Sequence, residues 1–216
     1  MRKILSAIAL VFMLSTVAVA QSTRFGFAAG ATYSTMFQKV NGEKDFGDYR
    51  IGATFGVVLD APMEKNGSFR TGINFVQKGT RNEYTDAPDV IKETLTLNYI
   101  EVPLMVMFKL PGKTSNIRLG AGPVAAFSLS GKSKMQVNGG NESESDIDFG
   151  DQTDSDLNWV DFGINIQAEY EFNGGVFIAA NYNHGINRLF VGGAETDKLY
   201  NRNFALRIGY FLRKKK

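Results

Sequence analysis

The amino-acid pattern predicts an all-β chain: an eight-stranded antiparallel up-and-down transmembrane β-barrel behind a cleavable signal peptide. Three features carry that prediction. Period-two alternation of apolar and polar residues recurs from residue 24 to residue 212, without a 3.6-residue stripe. Long and short connections alternate between the alternating segments, as in barrels with compact turns on one rim and loops on the other. Glycines gather on the polar side of the strands, where a water-facing sheet has no use for them.

The first twenty residues read as an export signal. Arg2 and Lys3 precede an apolar run from Ile4 to Leu14, and Ala18-Val19-Ala20 supplies a small-residue cleavage site. That run is shorter than the roughly 20 residues a bilayer-spanning helix needs. Gln21 rather than Cys follows, so no lipid-anchored amino terminus is indicated. Residues 1–20 are therefore assigned to the leader and 21–216 to one barrel domain, formally neutral once Arg2 and Lys3 are removed.

Eight strands are expected, at 24–35, 49–60, 68–79, 94–110, 117–130, 158–172, 176–189 and 202–212. Turn-forming residues at 62–67, 111–116 and 173–175 close the second, fourth and sixth strands tightly, because Asn and Gly tolerate positive φ. The other connections, at 36–48, 80–93, 131–157 and 190–201, are longer and more polar. In the sixth strand Phe162, Ile164, Ile166 and Ala168 alternate with Asp161, Gly163, Asn165 and Gln167; in the eighth, Phe204, Leu206 and Ile208 alternate with Asn203, Ala205 and Arg207.

Alternation alone does not say which face is inside. An eight-stranded barrel has an interior only wide enough for side chains to fill, so long charged residues there need neighbours of almost no volume. Gly26, Gly30, Gly52, Gly56, Gly72, Gly120, Gly122, Gly163, Gly185 and Gly209 share the polar face with Arg24, Arg50, Asp60, Arg70, Lys78, Glu101, Lys109, Arg118, Asp161, Glu169, Glu171 and Arg207. That combination predicts an ion-paired lumen with the apolar face toward lipid. Aromatics near strand ends, among them Phe25, Tyr33, Tyr49, Tyr170, Tyr210 and Phe211, fit interfacial girdles. Glu101 and Arg118, on strands joined by a short turn, are the first expected ion pair.

Composition excludes much chemistry. There is no Cys and one His, so disulfides, thiolate zinc sites, Cys nucleophiles and histidine metal clusters are impossible. A net charge of +2 provides no field to hold a nucleic acid. His184 shares the apolar parity of Ile178, Ala180 and Tyr182, and no G-x-S-x-G or H-E-x-x-H pattern accompanies it. A histidine near the membrane interface explains it better than a general base, and no enzymatic activity or cofactor is expected. From Glu142 to Asp156 the longest loop is acidic without a Lys or Arg. Glu142, Glu144, Asp146, Asp148 and Asp151 form a weak candidate for a divalent cation, which would also bridge to an anionic saccharide surface; the spacing misses the EF-hand pattern, and a solvated acidic loop is the plainer reading.

Leu97-Asn98-Tyr99-Ile100-Glu101-Val102-Pro103-Leu104, Leu119-Gly120-Ala121-Gly122-Pro123, Asp161-Phe162-Gly163 and the closing Asn203-Phe204-Ala205-Leu206-Arg207-Ile208-Gly209-Tyr210-Phe211 resemble the PorT-like outer-membrane β-barrel family of Gram-negative bacteria, over nearly all of 21–212. The resemblance implies a small outer-membrane barrel in contact with lipids, lipopolysaccharide and the barrel-insertion machinery. Its namesake is implicated in assembling or operating the type IX secretion apparatus, which implies secretion-complex proteins as partners. One departure stands out: such barrels usually end on an aromatic residue, whereas this chain runs past Phe211 to Arg213-Lys214-Lys215-Lys216. A structural or accessory role is the leading expectation; a narrow passive pore for small solutes, or surface binding and adhesion through the long loops, are the alternatives.

Overall fold

The computed structural model describes residues 23–40, 42–63, 66–111, 116–152, 154–191 and 197–212. The expected signal peptide and the basic end at 213–216 lie outside the described residues. Twelve strands follow one another: β1 Arg24–Val40, β2 Glu43–Phe46, β3 Arg50–Pro62, β4 Gly67–Asp86, β5 Asp89–Lys109, β6 Ile117–Val137, β7 Glu142–Asp146, β8 Phe149–Gly150, β9 Leu157–Asn158, β10 Val160–Glu171, β11 Val176–Gly185 and β12 Lys198–Phe211. Eight of them close a ring, β1-β3-β4-β5-β6-β10-β11-β12, with β12 returning to β1 and every ring pair antiparallel. Closure leaves no unpaired strand edge in the ring, which is the condition for a sheet to sit in hydrocarbon.

The two faces divide as the alternation requires. Phe27, Phe55, Ile73, Phe108, Ile166 and Leu206 are exposed on the outside, while Asp60, Arg70, Lys78, Gln167, Glu169 and Asn201 are buried inside. A soluble barrel would reverse this arrangement, because unpaired exposure of so much apolar surface to water is unfavourable. Small lumenal residues make room for large ones. A methyl group at Gly120 would stand 2.2 Å from the Met107 sulfur, and one at Gly209 would stand 2.2 Å from the Phe177 ring. Phe211, expected in a girdle, instead turns inward and packs against Phe177, with ring centroids 4.8 Å apart. Its parity with Gly209 and Arg207 leaves it no other direction.

The strands also run further than expected on the long-loop side. Residues 80–93 form a hairpin, since β4 and β5 stay in register out to Asp86 and Asp89. Residues 36–48 extend β1 and fold β2 back on it. Residues 131–146 extend β6 and add β7 to its edge. Two local irregularities let the sheet leave the ring. Leu129 is skipped where Tyr99 faces Ser128 and Asn98 faces Ser130, and Gly79 takes φ of +145°, a conformation L side chains rarely adopt. Past Val76, β4 has no β3 partner; hydroxyls of Thr32 and Ser34 donate instead to the Gln77 and Gly79 carbonyls. Conversely, β11 stops at Gly185 rather than 189, because the Asn187 amide takes over the ladder: its Oδ1 accepts from Phe162 N–H and its Nδ2 donates to the Val160 carbonyl.

Candidate functional site

The lumen is filled in three tiers. Nearest the short turns, register alone stacks Arg24, Asp60 and Arg70 as consecutive partners across β1, β3 and β4, while Glu169 faces Arg118 across β10 and β6. Asp60 is the hub: its Oδ2 accepts from Arg24 at 2.7 Å and Arg118 at 2.9 Å, and its Oδ1 accepts from Arg70 at 3.1 Å and Ser68 at 2.8 Å. Arg70 also grips Glu169 with both terminal nitrogens, and Arg24 reaches Glu171 at 2.5 Å. Forked guanidinium–carboxylate pairing of this kind is how buried charge is made tolerable. The aromatic pair Phe177–Phe211 lies beneath these cations, with the Arg24 guanidinium 4.1 Å from the Phe211 ring centre.

The middle tier is neutral around one cation. Arg207 donates to the carbonyl oxygens of Asn181, Asn74 and Gln167 and touches no carboxylate. The remaining cavity at this level, beside Glu101, Asn165 and Arg207, measures about 20 Å³, enough for a single water. In the upper tier Lys78 sits between Asp161 at 3.0 Å and Glu101 at 3.3 Å, each carboxylate also accepting an amide hydrogen bond, from Asn201 and Asn183 respectively.

Not every expected residue joins a pair. Glu101 and Arg118 do not meet: the short turn sets Lys109 opposite Arg118, so Glu101 lies opposite Ala126, further along the barrel. Arg50 donates to the Gln77 side chain, and Lys109 stands exposed at the rim without an ion pair among the described residues. The asparagine and glutamine side chains that complete the lumen carry no charge to single them out in the sequence, and their parity with the charged residues is the signal that finds them.

Above the upper tier an apolar layer closes the barrel. Met36, Leu97, Tyr99, Leu157, Leu189 and Leu199 pack together, with Ile147 and Phe149 against them. On its far side lies a cup of about 330 Å³. Met36, Leu95, Ile147, Leu157, Phe190 and Leu199 line its floor, and among the described residues the carboxylates of Asp45, Glu93 and Asp156 are the ionisable groups in its wall. Each carboxylate holds one hydrogen bond, from Phe46 N–H, Tyr84 O–H and Asp148 N–H respectively, and none has an ion pair among the described residues.

Among the described residues the carboxylates of the acidic loop are spread apart. Glu142, Glu144 and Asp146 lie along β7, where alternate residues stand about 7 Å apart and do not converge. Lys132 pairs with Glu144, and Lys134 with Glu142 at 3.0 Å and Glu144 at 3.3 Å. These hydrogen bonds hold the Glu144 carboxyl below its ordinary pKa and both lysines above theirs. Asp148 and Asp151 lie beyond β7, and among the described residues no group of three carboxylates or histidines is placed to hold a metal. His184 faces outward, its Nδ1 3.0 Å from the Tyr182 hydroxyl.

A closed ring with an apolar exterior, an ionised interior, compact turns on one rim and β-extensions on the other defines an integral outer-membrane β-barrel protein. Residues 19–191 match the family described as outer membrane protein beta-barrel domain, and the chain belongs to that family. A search of curated proteins found no match. Among solved structures the chain is similar to Ail, the attachment invasion locus protein of Yersinia pestis, determined also with the heparin analogue sucrose octasulfate (14% identity, TM-score 0.47, 89% of this chain and 100% of that one). It is also similar to Neisserial surface protein A (12%, 0.41, 90% and 100%) and to outer membrane protein W of E. coli (14%, 0.41, 89% and 100%). Outer-membrane lipids and lipopolysaccharide therefore surround the apolar band.

Proposed function

We propose that this protein binds ligands at the outer surface through the cup and the β-extensions around it, the barrel serving as a closed membrane anchor. The observation that carries this reading is the contrast between a mid-barrel cavity of about 20 Å³ and an open cup of about 330 Å³ beyond the apolar layer. The second volume lies within the range of small-ligand sites, and an apolar floor with a few placed polar groups is their usual make-up. Three carboxylates without a cationic partner select an ammonium or guanidinium group carried on an apolar body.

The test is calorimetric titration of the detergent-solubilised protein with 4-phenylbutylammonium and, separately, with neutral 4-phenylbutanol. Preference for the ammonium, reduced in the Glu93→Gln/Asp156→Asn double variant, supports the cup. Equal affinity for the two compounds, or no heat from either, removes it.

The narrower assignment to a PorT-like accessory of a secretion assembly rests on the segments at 97–104, 119–123, 161–163 and 203–211. Export with cleavage after Ala20, and delivery by the barrel-insertion machinery despite the basic end, belong to the same reading.

A further inference from the structure

The mouth at the short-turn rim holds a second cavity, of about 390 Å³, lined by Arg24, Lys109, Asn116, Arg118, Glu171 and the turn at 172–175. In barrels of this class that rim faces the periplasm. Three of its side chains are cations and one is a carboxylate. Counting the buried tier behind it, Arg24, Arg70, Lys109 and Arg118 face Asp60, Glu169 and Glu171. The three carboxylates are already gripped by the three arginines, so among the described residues Lys109 is the surplus charge.

Lys109 is also opposed directly by Arg118, its partner across β5 and β6. Like charges in that position destabilise a sheet unless something of opposite sign lies between them. The turn between β10 and β11 lines the other side of the cavity with little bulk, Gly174 and Gly175 standing at φ of +118° and +93°. Lys109 shares the inward parity of Met105 and Met107, so the ligand arrives from the aqueous side and not from the lipid annulus.

We infer that the periplasmic mouth is a binding site for a soluble oxyanion group, a phosphate or a carboxylate, held by Lys109 and Arg118 with Arg24 behind them. The ion-paired tier fixes the two guanidinium groups, and Lys109 supplies the uncompensated charge. This site is independent of the outer cup.

The test is a titration of the isotope-labelled full-length protein in micelles, at constant ionic strength, reading the amide signals of Asn116, Gly174 and Gly175. One titrant is inorganic phosphate; the other is a tripeptide with a free C-terminal carboxylate, with its amide as control. Saturable shifts with phosphate, or with the free peptide and not its amide, support the site and identify which oxyanion it takes. Lys109→Gln is expected to weaken that binding about fivefold, the size of one partly exposed charge pair. Because Lys109 has no ion pair to lose among the described residues and stands opposite the like-charged Arg118, the unfolding midpoint of the variant should not fall below that of the wild type. Absence of saturable shifts with both anions, or undiminished affinity in Lys109→Gln, overturns the inference.

Discussion

Lys78 shows how tightly individual charges are committed inside this barrel. Its ammonium is 1% exposed and bridges Asp161 and Glu101, two carboxylates on different strands. Lys78→Met would strand both in a low-dielectric lumen, at a cost of about 3 to 5 kcal/mol; urea unfolding followed by the heat-modifiable gel shift is expected to register it. Glu101→Gln should cost less, since Lys78 keeps Asp161 and the new amide still accepts from Asn183. The two pairings are separable by double-mutant cycles. Lys78 and Asp161 are expected to couple by more than about 1 kcal/mol, whereas Glu101 and Arg118, which share no partner, should add within about 0.5 kcal/mol. That second pair also marks where reading residues in sequence fails: a short turn between two strands brings only the residues beside the turn together. Parity was legible for every lumenal charge, but height along the barrel required the register.

At the level of elements, the difference between expectation and structure concentrates in the extensions of β4, β5 and β6. Thr80-Arg81-Asn82-Glu83 and Lys92-Glu93 have no apolar face, so nothing in them signals a strand. They are strands because the register of the ring below continues into them, and outside the membrane no face need be apolar. On the edge of that sheet, β7 is held by Lys132 and Lys134. The Glu144 pKa is lowered in the folded state, so its contribution is complete above the ordinary glutamate value and is lost as pH falls through the lowered one. The lysines are raised, so theirs is complete below the ordinary lysine value and is lost only as pH rises through the raised one. Across neutral pH the pairing is constant; acidification below the lowered Glu144 value should free β7 while the ring persists. Limited proteolysis at residues 138–148 with an acid-active protease, followed in steps downward from pH 5 and normalised to an unstructured substrate, is expected to show cutting that accelerates toward the acid end. Since these side chains are solvent-exposed, high salt should weaken the same contacts.

For the whole molecule, the three tiers and the apolar layer predict a barrel that does not conduct. Purified protein in planar bilayers should give no resolvable single-channel steps. Regular steps of fixed amplitude would restore the passive-pore alternative and require the lumenal pairs to open. Native mass in mild detergent bears on the accessory reading: co-purifying chains are expected for a member of an assembly, and a particle of one barrel in its micelle counts against it.

The amino-acid order determines the number of ring strands, the direction each lumenal charge faces and the inversion of polarity that places the chain in a membrane. All three follow from the period-two geometry of a strand and the volume of an eight-stranded interior. Tertiary structure alone decides which cation meets which carboxylate, because stagger sets which residues share a level. It also decides that the polar segments beyond the membrane stay in strands, and that Asp45, Glu93 and Asp156 converge on one cup. These three carboxylates come from connections far apart in the chain, and only closure of the ring brings their loops over the same opening.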